Sequence, residues 1–107
     1  MLKYYVLYPY KEGTHFDIDY YKNKHIAWAR EALMPHGLVD TSIERGVDGG
    51  GHDQPNKYHC MAALIFNNRE EMRAAFKNAD PEVMKKLGED VPNYTDVQPI
   101  MQIVETV

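Results

Sequence analysis

His25 is the side chain whose type and position best suit proton transfer. Ile18, Tyr21 and His25 recur at helical spacing, so the imidazole is expected on a helix face that is turned toward a sheet. Imidazole takes up and releases a proton near neutral pH, so between Tyr21 and Trp28 it could exchange one with a bound aromatic or lactone molecule. The alternative is a core histidine that is hydrogen-bonded to a tyrosine.

A second group of candidates precedes the last predicted strand. Asn93, Tyr94 and Asp96 lie in one turn-like segment. A carboxylate at Asp96 could orient His25 or bind a substrate hydroxyl, as the supporting acid of a base does in many active sites, and Tyr94 could share that role. The alternative for Asp96 is a turn residue that accepts hydrogen bonds from nearby backbone N–H groups.

Aromatic residues are predicted to form the rest of the pocket. Tyr8 ends the first predicted strand and could donate to a substrate oxygen, or else it caps the sheet edge. Trp28 could wall a flat apolar ligand, or else it belongs to the core. The predicted pocket is therefore lined by Tyr8, Tyr21, Trp28 and Asn93 beside the candidate catalytic residues His25, Tyr94 and Asp96.

Other site chemistries are not indicated. The sequence contains neither a Cys-x-x-Cys nor a His-x-x-x-His spacing, so no metal site is predicted. Gly49, Gly50 and Gly51 lead into a strand, and no Lys-Ser/Thr pair follows them, which disfavours a phosphate loop. No dinucleotide-binding fingerprint is present, so no cofactor site is predicted from the residues.

Size and composition predict one globular domain over residues 1–107. The chain has a mass of 12.4 kDa, is 44% hydrophobic and carries a net charge of −4. Its twelve Lys and Arg residues are scattered among sixteen acids, which disfavours nucleic-acid binding. No apolar run approaches the roughly 20 residues of a membrane helix. A single cysteine and the lack of a leader-like start favour the cytoplasm.

Hydrophobic periodicity predicts the elements that position these residues. A helix is expected after the cap Asp17, another after the cap Asn68, and a short extension from the cap Asp80 to Gly88, which is expected to end it. Strands are predicted over residues 2–8, 39–47, 58–66 and 97–104, and the first helix over residues 18–34. The order β-α-β-β-α-β is that of a ferredoxin-like α+β fold with a four-stranded antiparallel sheet.

The sheet is predicted to be apolar on both faces, although two helices can cover only one. The first and third strands do not alternate apolar with polar residues, as a half-solvated antiparallel sheet should. An uncovered apolar face of this size is unusual for a monomer. A second copy, related by a two-fold axis, is the simplest cover, so we expect a homodimer that forms a dimeric α+β barrel.

Several sequence motifs resemble the EthD family, which is named for ethyl tert-butyl ether degradation. The resemblance spans almost the whole chain and lies in Val6-Leu7-Tyr8-Pro9, in Phe16-Asp17-Ile18-Asp19-Tyr20-Tyr21-Lys22-Asn23-Lys24-His25, in Arg45-Gly46 before Gly49-Gly50, and in Pro92-Asn93-Tyr94-Thr95-Asp96-Val97-Gln98-Pro99. It implies the dimeric α+β barrel fold, whose members include lactone isomerases, cofactor-independent monooxygenases, polyketide cyclases and haem-degrading enzymes. Many family members have proline two residues after the helix histidine. Ala27 stands there in this chain and is expected to keep the helix regular.

The resemblance implies a small-molecule protein of a degradative or oxidative pathway, of a family often labelled as oxidoreductases. If the protein is catalytic, we expect cofactor-independent proton transfer by His25, supported by Asp96 or Tyr94, on a small apolar or aromatic molecule. One alternative is an accessory protein that binds substrate for a separate oxygenase. Others are a haem-binding barrel with His25 as axial ligand, and an assembly domain without a ligand.

Overall fold

Four strands form one antiparallel sheet. The structure, a computed structural model, describes residues 1–51 and 53–107. The strands are β1 (Leu2–Pro9), β2 (Asp40–Arg45), β3 (Tyr58–Phe66) and β4 (Ile100–Glu105), in the spatial order β2-β3-β1-β4. All three strand pairs are antiparallel. This arrangement confirms the predicted ferredoxin-like α+β fold, although β4 begins three residues later than predicted, directly after Pro99, which has no backbone N–H to give to a ladder.

The first helical run is not regular. It consists of α1 (Ile18–Tyr20), a π-helical segment (Tyr21–His25) and α2 (Ile26–Leu33), and a short 3₁₀ turn (Met34–His36) ends it. Asp17 caps it as predicted, since its carboxylate accepts from the Tyr20 N–H at 3.0 Å. The Ile26 N–H bonds to the Tyr21 carbonyl, five residues back. The prediction of a regular helix was therefore wrong.

The π-helical segment shifts the buried face of the run by one residue. The regular spacing predicts that Trp28, Ala29 and Ala32 follow His25 on that face, but the buried residues of α2 are Ile26, Ala29 and Leu33, so only Ala29 is common to both sets. A π turn contains an extra residue, so the residues that follow it are rotated about the helix axis. His25 consequently lies at the edge of the buried face, and Trp28 is partly exposed.

Two further helices pack on the same face of the sheet. They are α3 (Arg69–Asn78) and α4 (Pro81–Asp90), and a 3₁₀ turn (Val91–Asn93) follows α4. Both predicted caps are confirmed: Asn68 accepts from the Glu71 N–H at 2.8 Å and Asp80 from the Glu82 N–H at 2.9 Å. The prediction that Gly88 ends α4 was wrong, because the helix continues to Asp90.

The core between helices and sheet has two parts. An aliphatic part lies around Phe66, with Leu33, Leu38, Leu64 and Met72. A tyrosine-rich part lies at the other end of β1, and its buried members are Tyr8, Tyr21, Ile26, Cys60, Ala62 and Tyr94. The tyrosine-rich part meets the first helical run at His25.

The opposite face of the sheet carries no helix among the described residues. Helices cover the β1 face of Tyr4 and Tyr8, as contacts of Tyr4 with Phe76 and of Tyr8 with Tyr21 show. Strand alternation places Leu7 on the other face, where its neighbours are Met61 on β3 and Ile100 on β4. Met61 is 37% exposed and Ile100 is 51% exposed, so the predicted apolar face is present and open.

Candidate active site

A buried histidine–aspartate pair lies where the π-helical segment meets the end of α4. The Nδ1 atom of His25, the last residue of that segment, lies 2.9 Å from Oδ2 of Asp90, the last residue of α4. The side chains are only 12% and 9% exposed. The π turn and the length of α4 thus bring together two titratable groups that are 65 residues apart in the chain.

Asp90 is held as a carboxylate by three hydrogen bonds. Its Oδ1 atom accepts from the Tyr20 hydroxyl at 2.6 Å and from the Asn93 amide at 2.9 Å, while Oδ2 accepts from His25. Burial raises the pKa of Asp90, but the hydrogen bonds from Asn93, Tyr20 and His25 outweigh it and hold that pKa below its ordinary value of 3.8. Asp90 is therefore ionised at neutral pH.

An ionised Asp90 fixes the orientation and the tautomer of His25. A carboxylate can only accept, so Nδ1 carries the hydrogen, and in the neutral ring Nε2 is left with a lone pair. No hydrogen bond to Nε2 is found within the described part of the chain. The arrangement is that of a base with a supporting acid, in which Nε2 is free to accept a proton.

Two tyrosine rings flank the imidazole, and a third tyrosine is hydrogen-bonded to one of them. The His25 ring stacks on Tyr21, with centroids 5.4 Å apart and an interplanar angle of 14°, and it lies 4.8 Å from the Tyr94 ring. The hydroxyls of Tyr8 and Tyr94 are hydrogen-bonded at 2.6 Å. Burial raises the pKa of all three tyrosines above the ordinary value of 10.0, so they act as neutral phenols that donate hydrogen bonds.

A cavity of about 230 Å³ opens beside His25, between the sheet and the helices. Its lining residues share an uncharged character; apart from His25 they are Tyr4, Val6, Tyr8, Tyr21, Ile26, Ala29, Leu33, Ala62, Ala63, Leu64, Phe76, Met84, Leu87, Gly88, Val91, Pro99 and Met101. No Lys, Arg, Asp or Glu lies among the described residues of this lining. The cavity suits an uncharged organic molecule, since a buried ion would find no charged partner there while His25 is neutral.

A larger groove of about 500 Å³ lies between the first helical run and β2. It is open and partly charged, with Lys22, Arg30 and Arg45 among its lining residues. Arg30 is already engaged by Asp40 at 2.9 Å and by the Thr41 hydroxyl at 2.8 Å. Neither His25 nor Asp90 lines the groove, so we place the candidate active site in the smaller cavity.

The structure brings most of the predicted site residues together. His25, Tyr21, Tyr94 and Tyr8 form one cluster, and Asn93 contacts it through Asp90. Of these, His25, Tyr8 and Tyr21 line the cavity.

Asp96 and Trp28 are not part of this cluster. The Asp96 carboxylate accepts from the His15 backbone N–H at 3.0 Å and lies 3.5 Å from the His15 ring, where it is 49% exposed. It therefore does not support His25, and the structure gives that place to Asp90. Trp28 does not line the cavity, because the π turn rotates it away.

Sequence reasoning missed Asp90 and Tyr20, the two residues that complete the site. One signal was available for Asp90. It ends a helix with no basic residue in the last turn, where the helix dipole disfavours negative charge. An acid in that position needs a compensating partner, and His25, Tyr20 and Asn93 supply it.

Metal and cofactor binding receive little support from the side chains. No group of three or more His, Cys, Asp or Glu side chains that could hold a metal ion is found in residues 1–51 and 53–107. Nε2 of His25 could ligate a haem iron, but the cavity of about 230 Å³ lies below the roughly 300–1,000 Å³ of pockets for drug-sized ligands, and haem is larger than most of these. Within the same residues no helix is long and apolar enough to cross a membrane.

Fold and site together define a class of protein: a ferredoxin-like α+β domain with a buried His–Asp pair beside an uncharged cavity. The EthD domain family matches residues 14–98, so the chain belongs to the EthD family. A search of curated proteins finds no match.

Solved structures agree with this assignment. An EthD-like protein from Ralstonia eutropha JMP134 is 31% identical, covers 97% of this chain and 89% of its own, and superposes with a TM-score of 0.83. A member of the ethyl tert-butyl ether degradation (EthD) family from Bacillus halodurans C-125 is 21% identical, with coverage of 100% and 99% and a TM-score of 0.66. HapK from Hahella chejuensis shares the fold at 13% identity, with coverage of 100% and 93% and a TM-score of 0.57.

Proposed function

We propose that this EthD-family protein binds a small uncharged organic molecule beside His25 and transfers a proton to and from it without a cofactor. The observation that carries this proposal is the buried contact of 2.9 Å between His25 Nδ1 and Asp90 Oδ2, which leaves Nε2 without a partner among the described residues. The family's name, which refers to ethyl tert-butyl ether degradation, supports a role in a degradative pathway. The single cysteine favours a reducing compartment such as the cytoplasm.

The chemistry needs only the side chains described. Nε2 of His25 accepts a proton from a weakly acidic C–H or O–H of the ligand, and the ligand becomes an anion. The imidazolium that forms is stabilised by the Asp90 carboxylate, which is already ionised and held by Tyr20 and Asn93. A proton then returns to the ligand: return to another atom gives an isomerisation, and return to the same atom after the proton on Nε2 has exchanged with solvent gives hydrogen exchange.

The lining of the cavity supports an uncharged ligand. A carboxylate or ammonium group would lose its hydration on entry and, while His25 is neutral, would gain no ion pair from the described lining residues. The negative charge of Asp90 further disfavours an anionic ligand before proton transfer. A neutral ligand avoids both costs, and its charge develops only after proton transfer, next to the imidazolium.

Deuterium exchange tests the proposal without knowledge of the natural substrate. The probe is 2-tetralone, an uncharged ketone with acidic C–H bonds. It is incubated with the protein in D₂O, and NMR records the loss of its α-proton signals over time. The protein should accelerate exchange above the buffer rate. A positioned general base contributes about 10²–10⁴-fold, so His25→Gln should lose that factor. His36→Gln, the same change at an exposed histidine, should exchange like the wild type. Equal rates for His25→Gln and the wild type would refute the proposal.

A second candidate is binding without turnover, as an accessory to a separate oxygenase. It is favoured by the apolar lining, which suffices to hold a ligand without any chemistry. The same experiment separates the two candidates. Binding of 2-tetralone with no exchange above buffer indicates the accessory role.

The uncovered sheet face supports a homodimer. Its apolar residues, on the three strands β1, β3 and β4, are Tyr5, Leu7, Met61, Ala63, Ile65, Ile100 and Val104. A second copy packed on this face would bury the patch and give a barrel of two sheets. Analytical ultracentrifugation should return twice 12.4 kDa for the wild type and 12.4 kDa for Met61→Glu. Met34→Glu, at a methionine that is 41% exposed elsewhere, should stay dimeric. A monomeric wild type would contradict the dimer.

A further inference from the structure

The cavity beside His25 reaches the surface of the protein between α4 and β4. Among its described lining residues only two are largely exposed, namely Gly88 on α4 and Met101 on β4. Met101 is 53% exposed, on the edge strand of the sheet. The opening is therefore bounded by α4 on one side and by β4 on the other.

Gly88 is an anomaly at this position. It lies inside α4, two residues before the end of the helix, where glycine is a poor helix former. Its φ is not positive, so the backbone conformation does not require glycine. A Cβ at Gly88 would meet no atom within 4 Å, so packing against the described residues does not require glycine either. The space beside Gly88 is open, and Gly88 is one of the residues that line the cavity.

We infer that Gly88 keeps the mouth of the cavity open and sets the size of the ligand that the cavity accepts. The inference rests on the proposed function, because it concerns the same ligand. An uncharged flat molecule, seated with its acidic hydrogen toward His25, extends outward over the bare backbone of Gly88. Met101 forms the opposite rim, and its flexible thioether side chain can adapt to ligands of different width. A side chain at position 88 would occupy the space through which the larger ligands extend.

A series of uncharged phenols that grow by one ring tests this inference. The probes are phenol, 2-naphthol and 9-phenanthrol, and dissociation constants are measured by NMR titration at pH 7. Gly88→Leu should weaken 9-phenanthrol binding at least tenfold and change phenol binding less than threefold. Gly88→Ala should show a smaller loss in the same order of ligand size.

Glu89→Leu is the matched control. It adds the same side chain one residue further along α4, about 100° around the helix, at a residue that is exposed and does not line the cavity. This variant should bind all three phenols like the wild type. Circular dichroism and thermal unfolding check that each variant is folded, and Gly88→Ala should melt higher than the wild type because alanine favours helix.

The outcomes separate this inference from the proposed function. If Gly88→Leu and Gly88→Ala both bind 9-phenanthrol as tightly as the wild type, position 88 does not limit ligand size and the inference is wrong. In that case the proposed function stands. If the wild type binds none of the three phenols and exchanges no deuterium into 2-tetralone, both the inference and the proposed function fall. A size-dependent loss confined to the position 88 variants supports both.

Discussion

Asp90→Asn removes one negative charge from the candidate site and leaves the size of the side chain almost unchanged. In the wild type the carboxylate accepts three hydrogen bonds, from His25, Tyr20 and Asn93. Hydrogen bonds to a charged group contribute about 1.5–3 kcal/mol each, and neutral ones about 0.5–1.5 kcal/mol. Each bond therefore weakens by about 1 kcal/mol. We expect the free energy of unfolding at pH 7 to fall by about 2–3 kcal/mol.

The same substitution should reverse the tautomer of His25. If the new amide oxygen stays with Tyr20 and Asn93, the NH₂ group faces Nδ1, which must then become the acceptor. The proton moves to Nε2, the nitrogen proposed as the base. We expect deuterium exchange into 2-tetralone to fall with it, toward the loss of about 10²–10⁴-fold expected for His25→Gln. ¹⁵N NMR of the histidine rings reports the tautomer directly.

The effect of Asp90→Asn on stability should depend on pH. The folded-state pKa of Asp90 is depressed, so its contribution to stability is present above the ordinary value of 3.8 and is lost as the pH falls through the folded-state value. Urea unfolding at pH 7 and at pH 3 should therefore show that the gap between wild type and Asp90→Asn narrows at the lower pH.

Asp96→Asn is the control for these measurements. It makes the same change at the exposed carboxylate that the sequence favoured, so the tautomer of His25 and the exchange rate should stay as in the wild type. An Asp90→Asn protein that keeps the hydrogen on Nδ1 and unfolds like the wild type would refute the reasoning.

Three further predictions concern single side chains. Tyr94→Phe leaves the buried Tyr8 hydroxyl without its partner at 2.6 Å and should lower the free energy of unfolding by about 1–2 kcal/mol in urea titrations, whereas Tyr10→Phe, at a residue that is 43% exposed, should not. Burial raises the pKa of Cys60 to about 12, so iodoacetamide at pH 8 should not label the folded protein but should label it in urea; rapid labelling of the folded chain would contradict the buried placement. Gly88→Ala should raise the free energy of unfolding by about 0.5–1 kcal/mol, and a loss of stability would mean that a Cβ at that position meets an obstacle.

Much of the fold could be predicted because it depends on local patterns. The caps Asp17, Asn68 and Asp80 mark the starts of helices, because their side-chain oxygens accept hydrogen bonds from backbone N–H groups two or three residues further on. Gly37 ends the first helical run at a φ of 122°, which glycine adopts without strain. Alternation along β1 separates the residues that share the Tyr4 and Tyr8 face from those that share the Leu7 face. Each of these signals needs only a few neighbouring residues.

The partner of His25 could not be predicted in the same way. Asp90 and Asp96 lie on either side of the same short segment, residues 91–95. Which carboxylate reaches the imidazole depends on how far α4 extends and on how it packs against α2. The sequence predicts that Gly88 ends the helix, which would leave Asp90 in a loop. The structure extends α4 to Asp90 and points it at His25.

Residue types at fixed spacing were enough to predict the order of strands and helices, the apolar excess of the sheet and a histidine on an inward helix face. Three features became visible only in the folded chain: Asp90 rather than Asp96 supports that histidine, Trp28 turns away, and space remains beside Gly88. The reason is physical. A π turn and the end of a distant helix set atomic distances of about 3 Å, and such distances follow from packing between segments that are far apart in the chain.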